Sequence, residues 1–564
     1  MKSLMKKSLT CALAATTLFA AVGCGGGEDP NKNKATLYVY SFTSGFGSEW
    51  LTSLIADYEK LVENVEVDGK KGIHIEPTAE KSDVTGPQMA GRQEVVYFLE
   101  QKDYYELLAG NYVADITEAV TKENPYDGKT LESKMFADQK SYLGRQVNGE
   151  THYYAYPHYF TGFGIVYDVE LFESRGYYFI DGHSQEEPTQ DNPLSNKFVS
   201  SKNDTKSAGP DGIYNSAETP STDDGLPATY KEFLWLCDYI SNQDNPLIWS
   251  GLSRESYLTH FINALATDYE GKEQMRLNFS FDGEANNLGT LQGGQFVKDA
   301  EPTMIDGTNG AELARQAGKY YAMDFYEDLY SKTYIKGAES TLYSSTYTHL
   351  KAQEDFLKKS TRRNAMLVDG SWWQMEATAT FNNMAKANPA NSKQNRKLAW
   401  MPLPKQSAEK LGEKATMYDI MYPLCIMKNG LDKNSWQYKY ALDFIQFANS
   451  DEQLAKFTQI TGCTKALDYT LTNDQYKSLS YFGKTFYDAY KSSDILFPYD
   501  NNLLFANNQK VFQELDPGTG SPLYKSTAYT TSFVKAIEKD ISVATYFSGM
   551  HDYFNELTIW KKAK

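Results

Sequence analysis

The chain has 564 residues, a formal net charge of −17, and aromatic residues at 14% of the total. That length exceeds one ordinary domain and allows several, and so acidic a balance argues against nucleic acid as a partner. Beyond Cys11 and Cys24 only Cys237, Cys425 and Cys463 occur, an odd and widely spaced set that makes neither a disulfide framework nor a metal-thiolate motif.

Lys2, Lys6 and Lys7 precede an apolar run over 9–22, too short for a membrane span and typical of a secretory leader. The run ends Ala21-Val22-Gly23-Cys24, which resembles a bacterial lipobox with Ala21 where leucine is usual. Residues 1–23 are therefore expected to be a signal peptide, Cys24 to carry diacylglycerol, and the glycine-rich stretch 24–34 to be a flexible tether. Plain secretion without lipid is the alternative. No later stretch is long and apolar enough to cross a bilayer, so the expected location is the outer face of the membrane, or the periplasm, on a lipid anchor.

Alternation over 35–42, a glycine turn and an amphipathic pattern from Gly47 read as strand, loop and helix. Gly45-Phe46-Gly47 begins like a dinucleotide fingerprint, but Trp50 stands where the third glycine belongs, so the loop reads as ligand-facing instead. Short strands follow at 72–77 and 94–99, the second leading through Glu100 and Gln101 into a short helix. Asn148-Gly149 is a hairpin turn. Residues 180–227 are polar and rich in turns, and read as an insertion. Within it Asp211, Asn215, Asp223 and Asp224 offer oxygen ligands for a calcium ion, with a solvated acidic loop as the alternative. Thr229 and Glu232 form a capping box, 246–251 a strand, 254–269 a helix and 311–332 a long tyrosine-rich helix. At 365–376 an apolar strand turns through Asp369-Gly370-Ser371 into a helix opened by Trp372 and Trp373. The C-terminal end of such a strand is where ligands sit in an open α/β sheet, and an indole suits the apolar face of a sugar.

In order, these segments resemble the family 1 extracellular solute-binding proteins, the lipoprotein receptors of sugar ABC importers. The resemblance rests on the first strand and long helix, the close Val113-Ala114-Asp115-Ile116-Thr117, the tyrosine-rich strand through Tyr156-Pro157, and the strand 162–168, where Asp168 replaces the usual asparagine. It continues with Gly370 and Trp372 at the family's Gly-x-Trp, a strand ending in proline at 398–404, and the return over 417–427, where Tyr418 and Asp419 replace a glycine pair. The resemblance implies a two-lobe α/β fold of the type II periplasmic-binding-protein kind. Lobe one would comprise 35–156 and 418–462, and lobe two 157–417 and 463–564. It implies a monomer that closes on a carbohydrate, an oligosaccharide given the chain's size, and presents it to a membrane permease. Implied ligand contacts are Phe42, Glu100, Gln101, Tyr418 and Asp419 from lobe one, and Tyr156, Tyr159, Trp372 and Trp373 from the hinge and lobe two. A secreted glycosidase or lyase is a second reading, although no His-Glu-x-x-His, Gly-x-Ser-x-Gly or P-loop motif occurs. A helical-repeat glycan-capture lipoprotein and a receptor for a non-sugar solute are further alternatives.

Overall fold

Two sheets, each buried under helices, carry the chain. The computed structural model describes residues 30–561 except 44, 83, 101–103, 219–220, 250–253, 333, 335–345, 509–532 and 538–539; Cys24 and Gln101 therefore lie outside the described residues.

The first sheet runs in the order Ile73–Glu80, Ala35–Phe42, Val96–Leu99, Leu424–Met427, Tyr156–Pro157. Its first three strands are parallel, and Leu424–Met427 enters antiparallel from far along the chain. All four residues of Val96–Leu99 are buried, as expected of a strand covered on both faces. The helix Glu49–Leu61 buries Trp50, Leu51, Leu54 and Tyr58 and packs beside the later pair Trp436–Ala448 and Asp451–Thr461. These elements form lobe one.

Lobe two is built on the order Asn245–Ile248, Asn364–Gly370, Phe163–Asp168, Leu398–Met401. Every residue of its two central strands is buried. The helix Arg254–Ser280, broken at Gly271 where φ is +75°, packs along Ala317–Ser331. The long helix expected over 311–332 divides, because Gln316 adopts an extended conformation and leaves a 3-10 turn, Gly310–Arg315, ahead of the helix Ala317–Ser331. The return segment over 417–427 also divides. Thr416–Tyr418 pairs with Asp494–Leu496 against the Arg254–Ser280 helix, so the chain turns back to lobe one only after Tyr418. The insertion is mainly irregular, with a short 3-10 helix at Leu194–Lys197.

Asp168 caps the helix Val169–Arg175 by accepting from Leu171 N, and its other oxygen pairs with the guanidiniums of Arg363 and Arg396, the latter at 2.8 Å. Asp168 and Arg396 have no solvent-exposed side-chain surface. Their charges are tolerable only together, since removing one partner of a buried pair strands the other. Asp168→Asn is expected to cost about 3–5 kcal/mol in urea unfolding. A loss below about 1 kcal/mol, the worth of an exposed pair, would show that the arginines do not depend on it.

Candidate functional site

Three passages of chain join the lobes, at 158–162, 419–423 and 462–466, and hydrogen bonds tie them together. Asp419 Oδ1 accepts from Thr161 N at 3.1 Å and Thr161 Oγ1 at 2.6 Å, while Ile420 N donates to Thr161 O. Phe160 N donates to Thr464 O and Ala466 N to His158 O, linking the first passage to the third. Tyr422 holds a positive φ of 38° with its ring edge-on to Tyr499, a backbone state that an L-residue keeps only when its surroundings impose it.

The lobes meet in front of this hinge. Trp372, at the end of the Asn364–Gly370 strand, lies against the loop after the first strand. A Cβ at Gly45 of lobe one would come within 2.3 Å of its ring, and one at Gly370 equally close. Two missing side chains thus leave the slot the indole fills. Its Nε1 donates to Tyr257 Oη at 3.4 Å, and the Phe163 and Tyr257 rings stand 6.1 and 6.2 Å away.

Carboxylates surround this aromatic group. Gln353 Nε2 donates to Asp369 Oδ2 at 3.0 Å and Glu376 Oε2 at 2.8 Å, which gathers two acids around one amide. Burial and the neighbouring Glu376 hold the Asp369 carboxyl well above its ordinary range. Burial also raises Glu376, opposed by His349, Gln353 and, from lobe one, Lys81. Across the cleft Glu100 accepts from Tyr159 Oη at 3.2 Å, and the Tyr159 ring lies 4.4 Å from Phe46. The negative charges of Asp369, Glu376 and Glu100 all act on the Tyr257 phenol, whose pKa burial already raises. The site therefore combines one flat apolar ring with acceptors and phenols from both lobes.

Trp372, Tyr159 and Glu100 lie where the lobes meet, Tyr159 fully buried with its hydroxyl on Glu100. Phe42 sits half-buried at the end of its strand beside this loop, and Tyr418 half-buried in the strand Thr416–Tyr418. Three expected contacts are corrected. Trp373 is fully buried among Phe356, Phe381 and Phe482, because the helix turn directs it into the core. Tyr156 is also fully buried, its hydroxyl donating to Leu131 O. Asp419 is consumed by the hinge. Gln101 falls outside the described residues. Tyr257, His349, Gln353, Asp369 and Glu376 were not anticipated; Asp369, beside the conspicuous Gly370, was the one the sequence marked.

In the insertion, Asp211, Asn215, Asp223 and Asp224 do converge, but on one another. Ser221 Oγ donates to both Asp211 and Asp223, Asp211 N donates to Asp223, and Asn215 N donates to Asp224. Burial and Asp211 push Asp223 up to about 6. Among the described residues no three His, Cys, Asp or Glu side chains come together to hold a metal.

No protein-family model and no curated protein matches the chain. Solved structures do. A chitin oligosaccharide binding protein is 12% identical, covers 94% of this chain and 100% of its own, and superposes with a TM-score of 0.54. The GacH receptor of Streptomyces glaucescens, solved unliganded and with acarbose, is 13% identical over 94% of this chain and 100% of its own, with a TM-score of 0.50. The solute receptor AcbH gives 12%, 92%, 98% and 0.50. This is the two-lobe periplasmic-binding-protein-like fold. At such identities the likeness concerns architecture alone.

Burial holds the hinge carboxyl of Asp419 at about 7, above its ordinary 3.8, against the opposing bonds from Thr161. Folding therefore favours the protonated form. Between about pH 4 and about pH 7 the folded chain retains a proton the unfolded chain has lost, so stability falls as pH rises and levels off above that window. Asp419→Asn keeps an oxygen for Thr161 and is expected to flatten this slope in urea unfolding followed across the same range. Superimposable profiles for the two proteins would refute it.

Proposed function

We propose that this protein is an extracellular solute receptor that captures a carbohydrate, an oligosaccharide, between its lobes and presents the closed form to an ABC import permease. The observation that carries the reading is Trp372: an indole on lobe two, seated against lobe one and bonded to Tyr257, whose phenol feels the carboxylates of Asp369, Glu376 and Glu100. Separating the lobes would free the indole face for a sugar ring, and the surrounding carboxylates and phenols would bond its hydroxyls. Each such bond matters, because a sugar hydroxyl buried without a partner costs about 1–3 kcal/mol. A solute that touches both lobes binds the closed state better than the open one, and that difference drives closure. The similar solved structures are binding proteins, which supports a receptor over an enzyme.

The reading includes the lipid anchor. Among the described residues no helix is long and apolar enough to cross a membrane, and Cys24 follows a lipobox-like sequence. Protein recovered from bacterial membranes is expected to begin at Cys24 and to carry the mass of a diacylglycerol, and Cys24→Ala to be released into the medium. An unmodified N-terminus in the membrane fraction would sink this part.

A thermal-shift panel of mono- and oligosaccharides tests the rest. One glycan class at 100 times its Kd should add about 2.7 kcal/mol to native stability, with no product on chromatography. A chelator arm should leave the midpoint unchanged, because the acidic loop is held by its own hydrogen bonds. Gly45→Val, which would collide with Trp372 in the closed form, should unfold like the parent without sugar and lose most of the sugar-induced shift. An undiminished shift in Gly45→Val would move the binding site elsewhere, and released product would make the protein an enzyme.

A further inference from the structure

The lobes also meet along a second seam. Lobe one brings the helices Tyr104–Ala109 and Ala137–Leu143, with Arg145 just beyond; lobe two brings Lys272 of the Arg254–Ser280 helix and the segment 499–502. Lys272 Nζ lies 3.1 Å from Asp138 Oδ2, Tyr105 Oη donates to Asp500 O at 2.5 Å, and Asn501 Nδ2 donates to Ser141 O. Tyrosines fill the space between these contacts. Tyr142 of lobe one stacks on Tyr499 of lobe two with the ring centres 4.6 Å apart, Tyr105 stands 5.9 Å from the same ring, and Tyr422 of the second passage meets it edge-on at 4.7 Å. The guanidinium of Arg145 lies 5.0 Å over Tyr105.

Polar atoms are left over in this seam. Asp138 Oδ1, Arg145 Nε and Asn501 Oδ1 are each enclosed without a hydrogen bond. Asp138 offers Lys272 only its other oxygen, and Asn501 offers Ser141 only its amide nitrogen. The three belong to one line of contacts: Asp138 shares a helix with Ser141, and Arg145 covers the Tyr105 ring whose hydroxyl holds Asp500, the neighbour of Asn501. Enclosed polar atoms are nearly always bonded. Two acceptors and one donor left together suit a partner that both donates and accepts, as a hydroxyl does. Tyr142 and Tyr499 belong to different lobes, so separating the lobes uncovers a flat aromatic face on each, and such faces suit the apolar side of a sugar ring.

We propose that this seam is a second carbohydrate subsite: one sugar ring enters between Tyr142 and Tyr499, Asp138 and Asn501 accept from its hydroxyls, and Arg145 donates to them. Glu100, which reaches the Trp372 site through Tyr159, and Tyr104, whose ring stands 6.3 Å from Tyr499, are four positions apart. The chain alone holds them within about 14 Å, so one oligosaccharide can lie across both places. The inference rests on the receptor reading above and sharpens it: the solute is a chain gripped by both lobes at two points, and its length decides its affinity.

Calorimetric titration with di- through hexasaccharides of the malto-, cello-, xylo-, manno- and N-acetylchito- series tests it. In the series that binds, the longer members should bind at least about tenfold more tightly than the disaccharide. Asn501→Ala, and Arg145→Lys, which keeps a charge near Tyr105 but loses the Nε–H, should each cut that long-to-short ratio about fivefold, the worth of one hydrogen bond. Circular dichroism checks that the variants fold; if one does not, the other decides. A seam that only packed the lobes together would weaken every length alike, so variants with the parent's ratio would overturn the subsite, as would a parent that binds all lengths equally. Either result leaves the receptor reading standing, because sugar still binds, whereas no binding in any series would overturn both.

Discussion

The oxygen of Asp419 that receives both the amide and the hydroxyl of Thr161 is the constraint on which the two lobes hang. It joins the second passage to the first, and backbone bonds from Phe160 and Ala466 join the first to the third. Three separate linkers would let the lobes swing independently, whereas three mutually bonded ones restrict them to a common bend. The strained Tyr422, held against Tyr499, marks where the second passage is most tightly constrained.

That restriction explains how one indole serves both lobes. A side chain at either Gly45 or Gly370 would fill the slot that Trp372 occupies, so the fit depends on two backbones approaching opposite ends of one ring. Most of the aromatic wealth of the chain does other work. Tyr156, Trp249, Trp373 and Tyr177 are fully buried packing elements, and Phe198 stacks on Tyr239 far from the cleft. The excess of rings is chiefly the material of two large cores, and the cleft borrows a few of them.

Local signals made much of the fold legible. The alternation in 35–42, the Asn148-Gly149 turn and the apolar run before Gly370 each describe a few adjacent residues, and the structure forms strands and a hairpin there. The strand-to-helix turn at Trp372 is also where the sequence drew it. Period could not separate it from Trp373, because neighbouring residues on a helix turn face different ways and only the packing of Phe356, Phe381 and Phe482 decides which is core. Tyr156 and Asp419 were legible as hinge residues, but their partners, Leu131 O and Thr161, lie 25 and 258 positions away. Tyr257, His349 and Gln353 were illegible for the same reason: the first comes from one helix, the other two from another, and none carries a motif of its own.

Buried charge is held in two ways. Some of it is ion-paired within a lobe: Asp168 with two arginines, Lys405 with Asp268, Lys134 with Asp127. Some of it is not. Asp419 meets only hydroxyl and amide donors, Lys465 only an imidazole and rings, and Asp369 and Glu376 face each other across one amide. A paired ion is costly to separate, so it suits a part that never moves. A lone acid or amine held near neutrality can shed its charge when enclosed and regain it when wetted. Asp419 stands at such a point, buried in the crossing between the lobes with only Thr161 as its side-chain partner.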